Sequence, residues 1–334
     1  MSPLPKMVKA LLDPEAYPDT THRVELRQTQ MSFVFLTDDL VYKVKKPVDL
    51  GYLDYTTLDK RQFYCQQEVE LNRRLCPDTY LGVVAVTKDK NSIAIDDQGE
   101  VIEYAVKMHR LPQETMMNVL LAQNRVSSPM VTSAAQRLVE FHQRAETNTD
   151  ISIFGDLGTI TKNAEENFTQ TEKYIGNTIS QEQYQHIKDY TADFIIRKAN
   201  FIHQRVAEGR IRDCHGDLHA AHICFTNGIC IYDCIEFNDR FRYCDVASEV
   251  AFLAMDLDNY GRDDLSQSFV NAYIDKSRDK ELLKLLDFYK CYRAYVRGKV
   301  ESFQLDDPHI SDEDKVKVKT RAQKYFGLAD SYTQ

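Results

Sequence analysis

The chain has 334 residues, 43% hydrophobic and 28% charged, with a formal net charge of −9 and a pI near 5.5. That acidity excludes a nucleic-acid binder held by general electrostatics, and no apolar run approaches the roughly 18 residues of a membrane span. The length allows one large or two modest domains. The N-terminus, MSPLPKMVKALLDPEAYP, has no apolar signal-peptide core. Eight cysteines without an export signal imply a reducing, cytoplasmic setting and buried thiols. Cys214, Cys224, Cys230, Cys234 and Cys244 cluster, but there is no C-x-x-C pair to suggest a structural zinc.

Residues 1–22 are punctuated by proline and predict a short leading helix or arm. SFVFL, a turn at Thr37-Asp38-Asp39 and LVYKVKK then predict an antiparallel hairpin. Lys43 and Lys45 share one face of its second strand, because strand side chains alternate with period two. A helix follows, with Thr56 and Asp59 as a capping box, Glu68 in its middle, and Phe63, Val69, Leu71 and Leu75 as its apolar residues. YLGVVAVTK, NSIAIDD and EVIEYAVKM predict three more strands.

After residue 110 the pattern becomes helical. Ser128-Pro129 reads as an N-cap and first turn, and a long helix runs from about Gln181 to Glu208, closed by Gly209. Further helices are expected at VASEVAFLAMDLD, at 264–275, at ELLKLLDFYKCYRAYVRGKVESFQL and at the C-terminal end.

Cys214 to Asp245 carries the densest chemistry. Ile223 and Phe225, then Ile229 and Ile231, flank Asn227-Gly228, a dipeptide suited to a two-residue type I′ hairpin. Counting back from Thr226 opposite Ile229 sets His222 against Asp233. His215, Asp217 and His219 lie in the preceding loop.

His215-Gly216-Asp217, the hairpin ending in Ile231-Tyr232-Asp233, and Asp245-Val246-Ala247 together resemble the catalytic core of aminoglycoside phosphotransferases, within the protein-kinase-like superfamily. The resemblance spans about residues 23–300, with its strong motifs at 215–247. It looks closest to a bacterial branch with signatures like Glu236 to Glu249 and Cys291 to Lys299. Some members of that branch append a P-loop domain. There is no G-x-x-x-x-G-K-[ST] here, so none is expected.

The resemblance implies an α+β, bilobal fold. A small antiparallel β lobe with one helix (1–109) would precede a larger, mostly helical lobe (110–334) that holds the hairpin. It also implies transfer of a phosphoryl group from ATP or GTP to a hydroxyl of a small molecule, with Mg²⁺. Asp217 would accept the hydroxyl proton without a large pKa shift, since the proton leaves late in a loose transition state. His215 would hold the loop, and Asp233 would bind Mg²⁺. Lys43, with Lys45 as second choice, would pair with Glu68 and grip the phosphates.

Two departures stand out. His222 occupies the position of the family's metal-binding Asn; as a softer ligand it suggests tolerance of Mn²⁺. The loop Arg27 to Phe33 has no glycine, leaving Ser32 and Thr29 hydroxyls to meet phosphates. A nucleotide-binding pseudokinase is therefore a second reading. A metal-dependent phosphoesterase is a remote third, since its D-x-H and G-N-H-[DE] motifs are absent.

Plainer roles stand beside these. His219, Glu236, Asn238 and Asp245 are substrate-side or structural candidates, Asp245 more structural than catalytic. Arg293 and Arg297 share a helix face, either solvated or meeting an anion. Asp256, Asp258, Asp263 and Asp264 read as a solvated loop. Lys43 and Lys45 would otherwise be edge-strand charges.

Overall fold

Contacts divide the chain into a first unit, residues up to Met116 with Ile223–Asp239, and a second, Met117–His222 with Arg240–Gln334. The computed structural model describes residues 4–90, 92–226, 228–308 and 310–334. The hairpin, expected in a lobe of 110–334, groups with the first unit in this division.

In the first unit, α1 (Lys6–Ala10) leads into β1 (Glu25–Gln28), β2 (Ser32–Leu36) and β3 (Leu40–Lys45). Then come α2 (Leu58–Arg73), β4 (Tyr80–Lys88), β5 (Ile93–Ile95) and β6 (Glu100–His109). The strands form one antiparallel sheet in the order β1-β2-β3-β6-β4-β5. Phe33 and Phe35 lie opposite Val44 and Tyr42, and these four join Val8, Leu11 and Tyr17 in a core on one face. Alternation sends Lys43 and Lys45 to the other face, against α2.

Of the apolar residues expected on the buried side of α2, Val69 is buried, as is Leu75 just beyond its end, but Phe63 is 52% exposed, and Arg61, Cys65, Glu68 and Asn72 share the inward face. The sheet surface beneath carries charge, so a charged stripe pairs with it. Arg61 bonds both carboxylate oxygens of Glu103 at 2.9 and 2.8 Å. The N-cap of α2 is Thr57, one residue beyond the expected Thr56, and its side chain accepts from Lys60 N–H.

The strands Ile223–Phe225 and Ile229–Ile231 pair as the expected hairpin, but one residue out of the expected register. Phe225 faces Ile229 and Ile223 faces Ile231, so three residues join the strands rather than two. The count that set His222 against Asp233 is corrected with it. The type I′ assignment rests on Asn227, which lies outside the described residues. Cys76 and Cys230 form a disulfide, correcting the expectation of thiols throughout.

The second unit begins with α3 (Met117–Ala122), α4 (Ser128–Arg144), α5 (Thr149–Ser152), α6 (Leu157–Thr171) and α7 (Gln181–Ala207). The N-cap of α4 is Ser127 rather than Ser128. Gly209 follows α7 at φ +66°, the left-handed geometry of a helix end. Strand Ile211–Asp213 pairs with Tyr243–Asp245, which follows α8 (Asp239–Arg242). Then come α9 (Val246–Asn259), α10 (Asp263–Ser277), α11 (Leu283–Phe303) and α12 (Asp312–Ser331).

Phe168, Tyr184, Phe252, Met255, Tyr295 and Phe326 share this unit's core. Every residue of α9 from Val246 to Leu257 is buried, as expected of a helix apolar on nearly all sides. No helix among the described residues is long and apolar enough to cross a membrane.

Candidate active site

In the first unit, strand alternation and helix spacing bring both lysines to Glu68. Lys43 Nζ lies 2.8 Å from Glu68 Oε1 and 2.8 Å from Asp233 Oδ1. Lys45 Nζ lies 2.7 Å from Glu68 Oε2 and also pairs with Glu236, whose Oε1 accepts from Tyr55 O–H at 2.6 Å. Burial alone would lower both lysine pKa values; the facing carboxylates outweigh it and raise them well above the ordinary value. Burial likewise opposes ionisation of Glu68, and the two ammonium groups outweigh it.

Asp233 sits at φ +62°, a left-handed geometry that Asp tolerates better than most residues. Its segment is pinned from two sides: Tyr80 O–H accepts from Asp233 N–H at 3.3 Å, and Asn72 Oδ1 accepts from Cys234 N–H at 2.9 Å. Sequence reasoning did not single out Tyr55, Asn72 or Tyr80. Asn72 was the readable one of the three, four residues beyond Glu68 and so on the same helix face.

Three carboxylates (Glu68, Asp233, Glu236) face two ammonium groups, leaving one formal negative charge. The Asp233 side chain is the open part of the cluster, 41% exposed. An exposed carboxylate with residual negative charge suits a hard divalent cation such as Mg²⁺.

In the second unit, the His215-Gly216-Asp217 loop lies on α9. Glu249 Oε1 accepts from His215 and Gly216 N–H, both at 2.7 Å, and Asp256 Oδ2 accepts from Ala220 N–H at 2.9 Å. The two carboxylates are seven residues apart, hence on one helix face, with Phe252 between them beside the His219 ring. His142 Nε2, 2.8 Å from Glu249 Oε2, backs the first carboxylate. Arg293 donates to Gly216 O at 3.1 Å and Ser248 Oγ at 3.0 Å. Gly216, at φ +88°, is where the loop needs a residue without Cβ strain.

His215 is buried, its Nδ1 accepting from Asp217 N–H at 3.3 Å. Burial would raise the Asp217 carboxyl, but the His219 and His222 rings and the Arg297 guanidinium hold it well below the usual carboxylate range.

Other sequence candidates fall elsewhere. Ser32 is 2% exposed, and Thr29 Oγ1 accepts from the Met31 and Ser32 N–H groups, so the glycine-free loop closes on itself. Asn238 donates to the Tyr52 carbonyl oxygen at 2.9 Å, a contact with the segment before α2 rather than within its own turn. Asp245 caps α9 through Ala247 N–H and pairs with Arg205 at 2.6 Å. Arg293 is buried, neither solvated nor presented to an anion. Asp256 and Asp258 belong to α9 and are engaged, Asp258 with Lys290 at 2.8 Å, and the exposed Asp263 and Asp264 open α10, so the expected solvated loop of four acids is corrected. Glu249 and Asp256 were missed as loop supports. Their signal was two acids at heptad spacing in an otherwise apolar helix.

No protein-family model matches the chain. An uncharacterized protein of Mycobacterium tuberculosis is 32% identical over 289 residues, covering 86% of this chain and 56% of that protein. One of Mycobacterium bovis matches to the same extent. The chain thus spans about half the length of the curated relatives it matches.

Among solved structures, the GDP complex of aminoglycoside 2'-phosphotransferase-IIIa aligns over 97% of this chain and 99% of its own, with a TM-score of 0.55 and 11% identity. A choline/ethanolamine kinase family protein from Mesorhizobium loti aligns over 98% and 97%, with a TM-score of 0.51 and 12% identity. The chain has the kinase-like fold of these proteins. Within that fold, the α+β class and the antiparallel sheet with one helix are as the motifs implied.

Proposed function

We propose that the chain is a phosphotransferase of the aminoglycoside phosphotransferase kind, moving the γ-phosphoryl group of ATP or GTP to a hydroxyl of a small molecule. The observation that carries the reading is Lys43, held between the helix carboxylate of Glu68 and the hairpin carboxylate of Asp233. A nucleotide phosphate gains a lysine whose charge is fixed and whose position is set from both sides. Mg²⁺ at Asp233 would neutralise phosphate charge as it develops. The acceptor oxygen forms a bond to the γ-phosphorus as the bond to the β–γ bridging oxygen breaks. That electron pair leaves with the nucleoside diphosphate, and the acceptor proton passes to Asp217. The GDP-bound neighbour supports a nucleotide as donor.

A second reading, a nucleotide-binding pseudokinase, is favoured by the self-closed turn at Thr29. A phosphoryl-acceptor screen with the wild type and Asp217→Asn in parallel, beside nucleotide affinity, separates the two. Transfer that falls about 10²–10⁴-fold in the variant, with affinity retained, supports the enzyme. Tight binding with no turnover dependent on Asp217 supports the regulator.

A further inference from the structure

His219 and His222 stand at the two ends of one tight turn. Ala220–His222 is a 3-10 turn, and His222 N–H donates to His219 O at 2.9 Å. A 3-10 turn eclipses side chains three residues apart, so the two rings lie side by side, centroids 4.0 Å apart and planes tilted by 39°. Both rings converge on one oxygen. His219 Nε2 and His222 Nδ1 are each 3.6 Å from Asp217 Oδ2, beyond ordinary hydrogen-bond length. One donor atom from each of the three residues lies within 4.8 Å of the other two. Donor atoms around a tetrahedral ion with bonds of about 2.0–2.1 Å stand roughly 3.3 Å apart.

We propose that Asp217, His219 and His222 form a binding site for a transition-metal dication of the Zn²⁺ or Co²⁺ class, distinct from any Mg²⁺ held at Asp233. Two imidazoles and one carboxylate suit such ions, whereas Mg²⁺ prefers an all-oxygen shell. Ligation through His222 Nδ1, the atom that approaches Asp217 Oδ2, puts that ring's proton on Nε2 and gives up its 2.9 Å contact with the Asp217 carbonyl oxygen. Ligation through His219 Nε2 moves that ring's proton to Nδ1 and gives up the 3.3 Å bond from Ala221 N–H. An ion here occupies the carboxylate that phosphoryl transfer requires, so it inhibits; that consequence alone rests on the function proposed above.

The test is Co²⁺ titration of the untagged chain, followed by visible d–d absorption, with displacement by Zn²⁺. One equivalent should bind in the wild type. His219→Ala and His222→Ala should each weaken binding at least tenfold, with His222→Asn and circular dichroism as controls for folding. Cys214→Ser should leave the spectrum unchanged, which excludes the buried group of His142, Cys214 and Glu249. No bound Co²⁺ in the wild type, or binding that survives both histidine variants or disappears with Cys214→Ser, overturns the proposal. If Co²⁺ binds as described and no acceptor is ever phosphorylated, the metal site stands and the phosphotransferase reading falls.

Discussion

Lys43 and Lys45 differ in what their removal would expose. Lys45 is 1% exposed and holds two buried carboxylates, Glu68 and Glu236. Lys45→Met removes the ammonium group paired with Glu236, while Glu68 keeps Lys43, and should cost about 3–5 kcal/mol, read by urea denaturation. Lys43→Met leaves Glu68 still paired with Lys45, so stability should change less while nucleotide affinity falls at least tenfold; calorimetric titration with ATP and GTP checks this.

Asp217 makes a prediction about acid. Its folded pKa is depressed by the neighbouring rings and Arg297 against the opposing effect of burial. Its stabilising contribution is therefore present above the unfolded value of about 3.9 and is lost as pH falls through the lower folded value. Between about pH 5 and 8 the carboxylate stays ionised, so Asp217 should place no acid limb there in a pH–rate profile. An acid limb that vanishes in Asp217→Asn would contradict this.

At the scale of elements, α9 is a rigid bed for the loop. Replacing Glu249 with Gln keeps its shape but removes the charge that accepts from two backbone N–H groups. The expected loss is about 1–3 kcal/mol, measured by denaturation. The packing of α11 on α12 is equally exacting. A Cβ at Gly298 would stand 2.9 Å from Phe326 Cε1, so Gly298→Ala should destabilise the chain by about 1–3 kcal/mol.

Other elements show where sequence reading succeeds and where it stops. β2 and β3 were legible because short apolar runs flank the Thr37-Asp38-Asp39 turn, and α7 because Gly209 closes a long periodic pattern. The inward stripe of α2 was not, since Arg61, Glu68 and Asn72 look like solvent-facing residues until the charged sheet surface beneath them is known. The hairpin was legible as a hairpin, but Asn-Gly suggested a two-residue loop where three residues span the gap. Carboxylates that support a loop through its backbone, like Glu249 and Asp256, leave only a faint spacing signal.

For the whole molecule, the Cys76–Cys230 disulfide is the feature furthest from sequence reach. Its partners are separated by 154 residues, with no motif at either end. Closing a loop of that length restricts the unfolded chain by up to about 5 kcal/mol in the entropic account. Dithiothreitol, or Cys230→Ser, should therefore lower the melting temperature; an unchanged melting curve would show that the bond contributes nothing to stability.

The bond also makes a covalent ring of everything from the end of α2 through His215, Asp217 and His222 to the hairpin. A protease that nicks an exposed turn inside that ring, such as 97–99, opens the circle without releasing a piece. The nicked chain should migrate as one species without reductant and as two with it, whereas a cut before residue 76 or after 230 sheds a fragment either way. The pattern of bands would thus map which cleavages the molecule survives intact.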